Sequence, residues 1–185
     1  MYNIGNDIVD LNVAKTQSNW QRKGFLEKQF TMYEQNEILN ADNPFLKVWL
    51  FWSMKEAAYK CYMQQHKKRF FAPKKFLCKI VSTTKGNVIL EDEIFYINYI
   101  ISDTYIYAVA TKKNDVKMVS NSFFVEKNTA LTKIINTKLL SYFSEDIQLK
   151  KNRLGIPYLF KKDKKLPISI SKTHHGNYGA FAFSL

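Results

Sequence analysis

The sequence is poor in cysteine, glycine, proline and acidic side chains, and it has no long hydrophobic run. Its two cysteines, Cys61 and Cys78, stand in neither a C-x-x-C pair nor a zinc-like spacing. A disulfide framework is therefore excluded, and both thiols are expected reduced and buried. Only six glycines and four prolines occur in 185 residues, too few for a linker-rich or low-complexity protein. The most apolar stretch, Phe45 to Met54, is interrupted by Lys47 and is too short to cross a bilayer. The segment Met1 to Asp7 lacks a charged region followed by an apolar run, so no secretory signal is expected there. These absences predict a cytoplasmic protein with no membrane association.

The shortage of acid leaves 28 Lys and Arg against 16 Asp and Glu, a net charge of +12. A chain this basic is expected to meet something acidic: nucleic acid, an anionic surface, a polyphosphate ligand or an acidic protein. What is abundant is core material, with 46% apolar and 15% aromatic residues. The length suffices for one full domain or two small, tightly packed ones.

Along the chain, Met1 to Val9 reads as a strand. Phe25 to Asn40 has helical spacing, with Thr31-x-x-Glu34 as a helix-start pattern. Pro44 opens a longer helix to about Gln65. Strand-like runs follow at Phe76–Thr83, Val88–Leu90, Ile94–Ile101 and Tyr105–Thr111, with Lys85-Gly86-Asn87 and Ser102-Asp103-Thr104 as turns. A second series has a strand at Val116–Val125, a helix from about Asn128 to Phe143, and short strands at Ile147–Leu149, Tyr158–Phe160, Ile168–Ser171 and Tyr178–Leu185. Both series close on a similar strand, Tyr107-Ala108-Val109-Ala110 and Gly179-Ala180-Phe181-Ala182. The expected fold class is α+β: two similar α+β halves, 1–113 and 114–185, forming a pseudo-dimer, each with a long helix packed on a small antiparallel sheet.

The Pro44–Gln65 helix carries the most information. Leu50, Phe51, Met54, Ala57, Ala58 and Cys61 form an apolar stripe at i, i+3, i+4 and i+7 spacing that should face the core. Trp49, Trp52, Lys55, Glu56, Tyr59 and Lys60 fall on the other side. One reading of that side is a solvated face with a Glu56–Lys60 pair. The aromatic residues beside the charges favour a lined site.

Trp52-Ser53-Met54-Lys55-Glu56-Ala57-Ala58-Tyr59-Lys60 resembles the W-x-x-K-E-A-x-x-K motif of the 4′-phosphopantetheinyl transferase superfamily, which includes the holo-acyl-carrier-protein synthases. Ile4-Gly5-Asn6-Asp7-Ile8-Val9 resembles its I-G-x-D-I signature, and the two occur in the family's order. Ser171 to Tyr178 is similar to the family's S-x-S-H-S-x-D-Y segment, and Gly155 to Leu159 to its G-K-P-Y strand. Residues 67–150 match little of the family pattern.

The resemblance implies transfer of the phosphopantetheine group of coenzyme A to a serine of an apo acyl or peptidyl carrier protein, with release of adenosine 3′,5′-bisphosphate. It implies Asp7 and Glu56 as ligands of Mg²⁺ (or Mn²⁺), a cation that prefers oxygen donors. It implies Glu56 and Lys60 as catalytic residues, with Lys60 touching phosphate and helping to deprotonate the serine. Lys55, Lys60, Ser171, Thr173 and His174 are implied as coenzyme A contacts. Lys150, Lys151, Arg153, Lys161, Lys162, Lys164 and Lys165 have two readings: contacts to the nucleotide 3′-phosphate or the acidic carrier, or, for most of them equally well, ordinary surface solvation. Asp10 is a nearby alternative carboxylate that the family pattern does not assign to the metal.

The chain departs from the pattern in three ways. Val9 stands where many larger members have a second acidic residue, so water is expected in the metal shell. His175 stands where serine is usual. The histidine segment follows the I-G-x-D and K-E-A segments instead of preceding them. These departures predict a monomeric pseudo-dimer with permuted halves, its site supplied by Asp7, Glu56 and Lys60 from one half and His174 from the other. Two rival readings remain: a non-catalytic relative that binds coenzyme A or a carrier protein, and a basic nucleic-acid-binding protein. The second has no recognisable binding motif, so no nucleic acid partner is expected.

Overall fold

The computed structural model describes residues 2–70, 72–126 and 130–185. The expected starts of the first strand at Met1 and of the second-half helix at Asn128 lie outside them.

Strand β1, Ile4–Asp10, is buried along its whole length. Asp10 ends it and N-caps helix α1, Leu11–Gln17, accepting from the amides of Asn12 and Val13. The expected helix across Phe25–Asn40 is two helices: α2, Phe25–Gln29, and α3, Met32–Leu39. They part at Thr31 because the predicted capping box forms there, with the Thr31 hydroxyl accepting from the Glu34 amide and Glu34 accepting from the Thr31 amide. Helix α4, Pro44–His66, runs 23 residues with Asn43 as its cap and Pro44 in its first turn. Lys67, at φ 54°, ends it.

After a 3₁₀ turn at Pro73–Lys75 come β2 (Leu77–Ile80), β3 (Lys85–Leu90), β4 (Glu93–Ile101) and β5 (Tyr105–Thr111). Lys85-Gly86-Asn87, expected as a turn, is strand. The reversal falls just before it, at Ser82 to Thr84, where the Ser82 hydroxyl accepts from the amides of Thr84 and Lys85. The antiparallel sheet is ordered β1-β5-β4-β3-β2.

The second half has β6 (Met118–Phe124), α5 (Leu131–Leu140), β7 (Ile147–Lys151), β8 (Pro157–Lys161), β9 (Lys164–Lys165), β10 (Ile170–His175) and β11 (Tyr178–Ser184). One three-stranded sheet is ordered β10-β11-β6, the other β7-β8-β9. The halves share a plan: the first strand of each (β1 or β6) pairs antiparallel with the last (β5 or β11), which pairs with the one before it. The helices differ, since α5 has 10 residues against the 23 of α4.

Each half has its own apolar core. The larger one is built on α4 and the five-stranded sheet; the smaller one is built on α5 and β11. A third cluster joins the sheets: Ile4, Ile8, Tyr107 and Val109 from the first meet Ala180 and Ala182 from the second. The small alanines let the sheets approach. Tyr107 spans the seam, donating its hydroxyl to the Phe181 carbonyl at 2.9 Å. Both cysteines are free and buried. Among the described residues no helix is long and apolar enough to cross a membrane.

Candidate active site at the seam between the halves

The site begins with a glycine. A Cβ on Gly5 would lie 2.0 Å from the Ala57 carbonyl oxygen and 2.5 Å from the Cys61 amide. Strand β1 therefore lies directly against the backbone of α4, closer than any side chain permits. This contact brings Asp7, two residues along, to the helix that carries Glu56 and Lys60. Ser53 fixes the approach by donating to the Asp7 carbonyl at 3.3 Å.

Lys60 spans the gap. Its Nζ donates to Asp7 Oδ1 at 2.8 Å, to the Asn6 carbonyl at 2.9 Å and to Thr173 Oγ1 at 3.2 Å. Thr173 lies on β10 and in turn donates to Asp7 Oδ1 at 3.2 Å. Three donor bonds use all the hydrogens of an ammonium, so Lys60 sits here as a cation with no lone pair to offer. Its ion pair is with Asp7 on a different element, not the solvated i,i+4 pair with Glu56.

Glu56, one turn before Lys60, is mostly buried. Burial first, and the nearby Asp7 carboxylate second, push its pKa up to about 7, against an opposing pull from Lys60. A carboxyl held this way is half-ionised near neutral pH. It can accept a proton there, and a cation placed between it and Asp7 would relieve both causes. Among the described residues no group of three or more His, Cys, Asp and Glu forms a metal cage. Two carboxylates with the remaining positions left to water and phosphate oxygens are the donor set that suits Mg²⁺.

The second half supplies the other wall. Alternate residues of β10 face β1: Ser171 Oγ accepts from the Asn6 amide at 2.9 Å, Thr173 bonds Asp7, and His175 Nδ1 accepts from the Asp10 amide at 2.9 Å. Asp10 Oδ2 accepts from the Asn177 amide at 3.0 Å. Asp10 is thus a cap and a clamp. Ser171 and Thr173, expected as coenzyme contacts, spend their hydroxyls on joining the halves while bordering the cleft.

The cleft has two lobes. One, about 230 Å³, lies between α4 and the second half and is lined by Tyr59, Lys60, Met63, Ile156, Ser171 and Lys172 among others. The other, about 250 Å³, lies against α5 and is lined by Thr132, Ile135, Lys151, Lys172, Thr173 and His174. His174 is exposed at the second lobe, its pKa lowered by partial burial and then by Lys60, His175, Lys151 and Lys172.

Lys55 corrects an expectation. It is fully buried and salt-bridged to Glu34 at 2.8 Å, and it also donates to the carbonyls of Pro73 and Phe76. Glu34 is equally occupied, accepting also from the Cys78 amide at 2.8 Å. Lys55 lies away from the cleft residues and, fully buried, cannot contact a pyrophosphate; it ties α4 to α3 and to the Pro73–Phe76 segment before β2. Trp49 and Trp52 likewise pack in the first core, leaving Tyr59 as the aromatic of that helix face that lines the cleft.

Three residues of the site carry no motif signal of their own. Asn6 serves both Lys60 and Ser171 through its backbone. Gln64 accepts from the Ile4 amide and donates to the Ile170 carbonyl, bridging β1 and β10; its i+4 spacing from Lys60 was the available clue. Lys172 lines both lobes.

Residues 3–110 match the sequence profile of the 4′-phosphopantetheinyl transferase superfamily. The crystal structure of Thermotoga maritima holo-acyl-carrier-protein synthase is similar over 89% of this chain and 86% of that one, with a TM-score of 0.47 and 10% sequence identity. No curated protein sequence matches.

Proposed function

The chain belongs to the 4′-phosphopantetheinyl transferase superfamily, and we propose that it moves the phosphopantetheine group of coenzyme A onto a serine of an apo acyl or peptidyl carrier protein. The observation that supports this best is the joining of Asp7, Lys60 and Thr173, from three separated elements, one helical turn from Glu56. The cleft beside them is lined by lysines and a histidine with no carboxylate among its lining residues. That wall suits a substrate with several phosphates.

In the reaction, the serine oxygen attacks the phosphorus that bears pantetheine. A P–O bond forms, the bond to the bridging pyrophosphate oxygen breaks, and adenosine 3′,5′-bisphosphate leaves. Asp7 and Glu56 would hold a Mg²⁺ or Mn²⁺ ion, which neutralises charge on the pyrophosphate oxygens when bound. The ammonium of Lys60, held by Asp7, Asn6 and Thr173, would supply positive charge beside the phosphate oxygens. It cannot also take the serine proton while its three hydrogens are engaged. Glu56, the second carboxylate of the site, is the group left to accept that proton, directly or through water. Asp10, His175 and Gln64 keep the halves in register.

The expected net charge of +12 suits an acidic carrier, which gains on-rate from complementary charge. The test is product chemistry. Adenosine 3′,5′-bisphosphate should appear, one for each coenzyme A consumed, only when apo-carrier and a divalent cation are both present. Tight coenzyme A binding with no release across several carriers would replace this reading with the non-catalytic one.

A further inference from the structure

Strand β6, Met118–Phe124, is the outer strand of its sheet and pairs only with β11 among the described residues. Its register shows which groups the open side presents. The Lys117 carbonyl accepts from the Leu185 amide, and the Val125 amide donates to the Asn177 carbonyl. Odd-numbered residues therefore spend their backbone groups on β11. By alternation Met118, Ser120, Ser122 and Phe124 point theirs outward. Both faces of the strand are already occupied within the chain. Val119 and Phe123 pack on the α5 core. Met118 packs on the cluster between the sheets, where the Ser120 and Ser122 hydroxyls bond Tyr107 and Tyr105. What is left is the edge.

The other sheet edges are covered or charged, the usual ways of keeping an edge from pairing. The Asn6 and Asp10 amides of β1 are taken by Ser171 and His175 of β10. The Cys78 amide of β2 is taken by the Glu34 carboxylate. Strand β7 ends in Lys150-Lys151, and β9 is Lys164-Lys165. Strand β6 reads Met-Val-Ser-Asn-Ser-Phe-Phe, with no charge and no proline.

That sequence is a palindrome of polarity about Asn121: two apolar residues, Ser120, Asn121, Ser122, two apolar residues. Two copies of β6 paired antiparallel about Asn121 set Met118 opposite the partner's Phe124 and Ser120 opposite the partner's Ser122. Every outward amide and carbonyl then meets an outward one. On the α5 face Val119 lies opposite the partner's Phe123, a β-branched and aromatic pair. A slip of one residue forfeits the hydrogen bonds, and a slip of two sets polar side chains against apolar ones. In the centred register the exposed Lys117 comes within one strand position of the partner's Glu126, also exposed, so opposite charges meet at both ends.

We propose that β6 is a docking edge for a second copy of this chain, joining two three-stranded sheets into one continuous sheet about a two-fold axis at Asn121. The two-fold closes the assembly at a dimer, in place of the monomer expected from the motif order. Strand β10, which lines the cleft, lies at the other edge of the sheet, so pairing leaves the cleft open. The inference is independent of the proposed function.

The experiment follows the mass of the purified full chain by sedimentation, across the micromolar concentrations at which an interface this small associates. The mass should double as concentration rises. Ser120→Pro removes an outward amide that an edge strand can spare when it stands alone. It should weaken the dimer at least about tenfold, the effect of losing one central pair of hydrogen bonds. Asn121→Cys reads the axis directly. Residues facing each other at such a position have Cα atoms about 4.5 Å apart, within reach of a disulfide. Mild oxidation should link Asn121→Cys into a dimer but not Ser120→Cys or Ser122→Cys, each of which faces the other position and not itself. The native thiols, both buried, stay out of the reaction. Selective linkage through Asn121→Cys supports the pairing whatever the mass of the reduced protein. Absence of that linkage overturns it, with or without a doubled mass. Equal linkage through Ser120→Cys or Ser122→Cys, or a dimer unweakened in a folded Ser120→Pro, places the contact elsewhere and overturns it too. If circular dichroism shows Ser120→Pro unfolded, the cysteine series decides alone.

Discussion

The two halves of this molecule share a strand order and divide the chemistry. The first half contributes the carboxylates of the site, Asp7 and Glu56, with Lys60 paired to Asp7. The second lines the cleft with Lys151, Lys172 and His174 and contributes no acid. The cores divide as well. The first half buries a charged pair, Lys55 and Glu34, at zero exposure, whereas the second is held by apolar packing on α5 and β11. A duplicated scaffold can thus specialise without changing its pairing scheme. In the proposed reaction the first half places the groups that would hold a metal and accept a proton, and the second supplies positive charge.

The largest expected effect breaks the comparison at its core. Lys55→Met should cost about 3–5 kcal/mol by urea unfolding, because it leaves Glu34 charged and buried without its partner. Adding Glu34→Leu should recover only part of that loss, because the Thr31 and Cys78 amides then lose their acceptor. Lys172→Gln in the second half should stay within about 0.5 kcal/mol. A null effect for Lys55→Met would show that the buried pair is not the joint of the first half.

Next comes the seam. Gly5→Ala forces a methyl into the Ala57 carbonyl and the Cys61 amide. Both are backbone, so β1 must move off α4. Transfer should fall at least about a hundredfold, as when catalytic groups are displaced by about 1 Å, with the secondary structure retained by circular dichroism. Activity within threefold of wild type would mean that the strand–helix approach does not set the site.

The smallest effect is electrostatic and has a defined sign. The ordinary value for Glu56 is 4.5, and the fold raises it to about 7. The folded protein therefore binds this proton more tightly than the unfolded chain. The stabilisation is fully present below pH 4.5 and is lost as pH rises through about 7. Metal-free wild type should lose thermal stability across that window relative to Glu56→Gln. Added Mg²⁺ should stabilise wild type more at pH 8 than at pH 6, because protons compete with the ion. Parallel pH profiles for the two proteins, with no Mg²⁺ effect, would separate Glu56 from both roles.

Much of this division was legible in the sequence. The repeated closing strands announced two similar halves, and the spacing of Leu50, Phe51, Met54, Ala57, Ala58 and Cys61 gave the core stripe of α4. Motif spacing brought Asp7, Glu56 and Lys60 forward, and the later segment brought His174. Periodicity could not show that α4 is wrapped on a second side by α2 and α3. Trp49 and Lys55 are buried there, and the fate of Lys55 depends on Glu34, 21 positions away. A pattern that reads one helix cannot see a partner on another. The α1 helix was missed although Asp10, its cap, was in view, because seven residues give too little periodicity. Lys172 was hidden among many lysines; the folded cleft, both lobes of which it lines, sets it apart.

The most direct test of the central claim is the intact mass of an apo-carrier after incubation with coenzyme A, Mg²⁺ and each of three proteins: wild type, Glu56→Ala and Lys60→Ala. The account predicts the gain of one phosphopantetheine arm with wild type and none with either variant, all three proteins remaining folded. No gain with wild type across several carriers would contradict the transferase reading, and a gain with both variants would contradict the site.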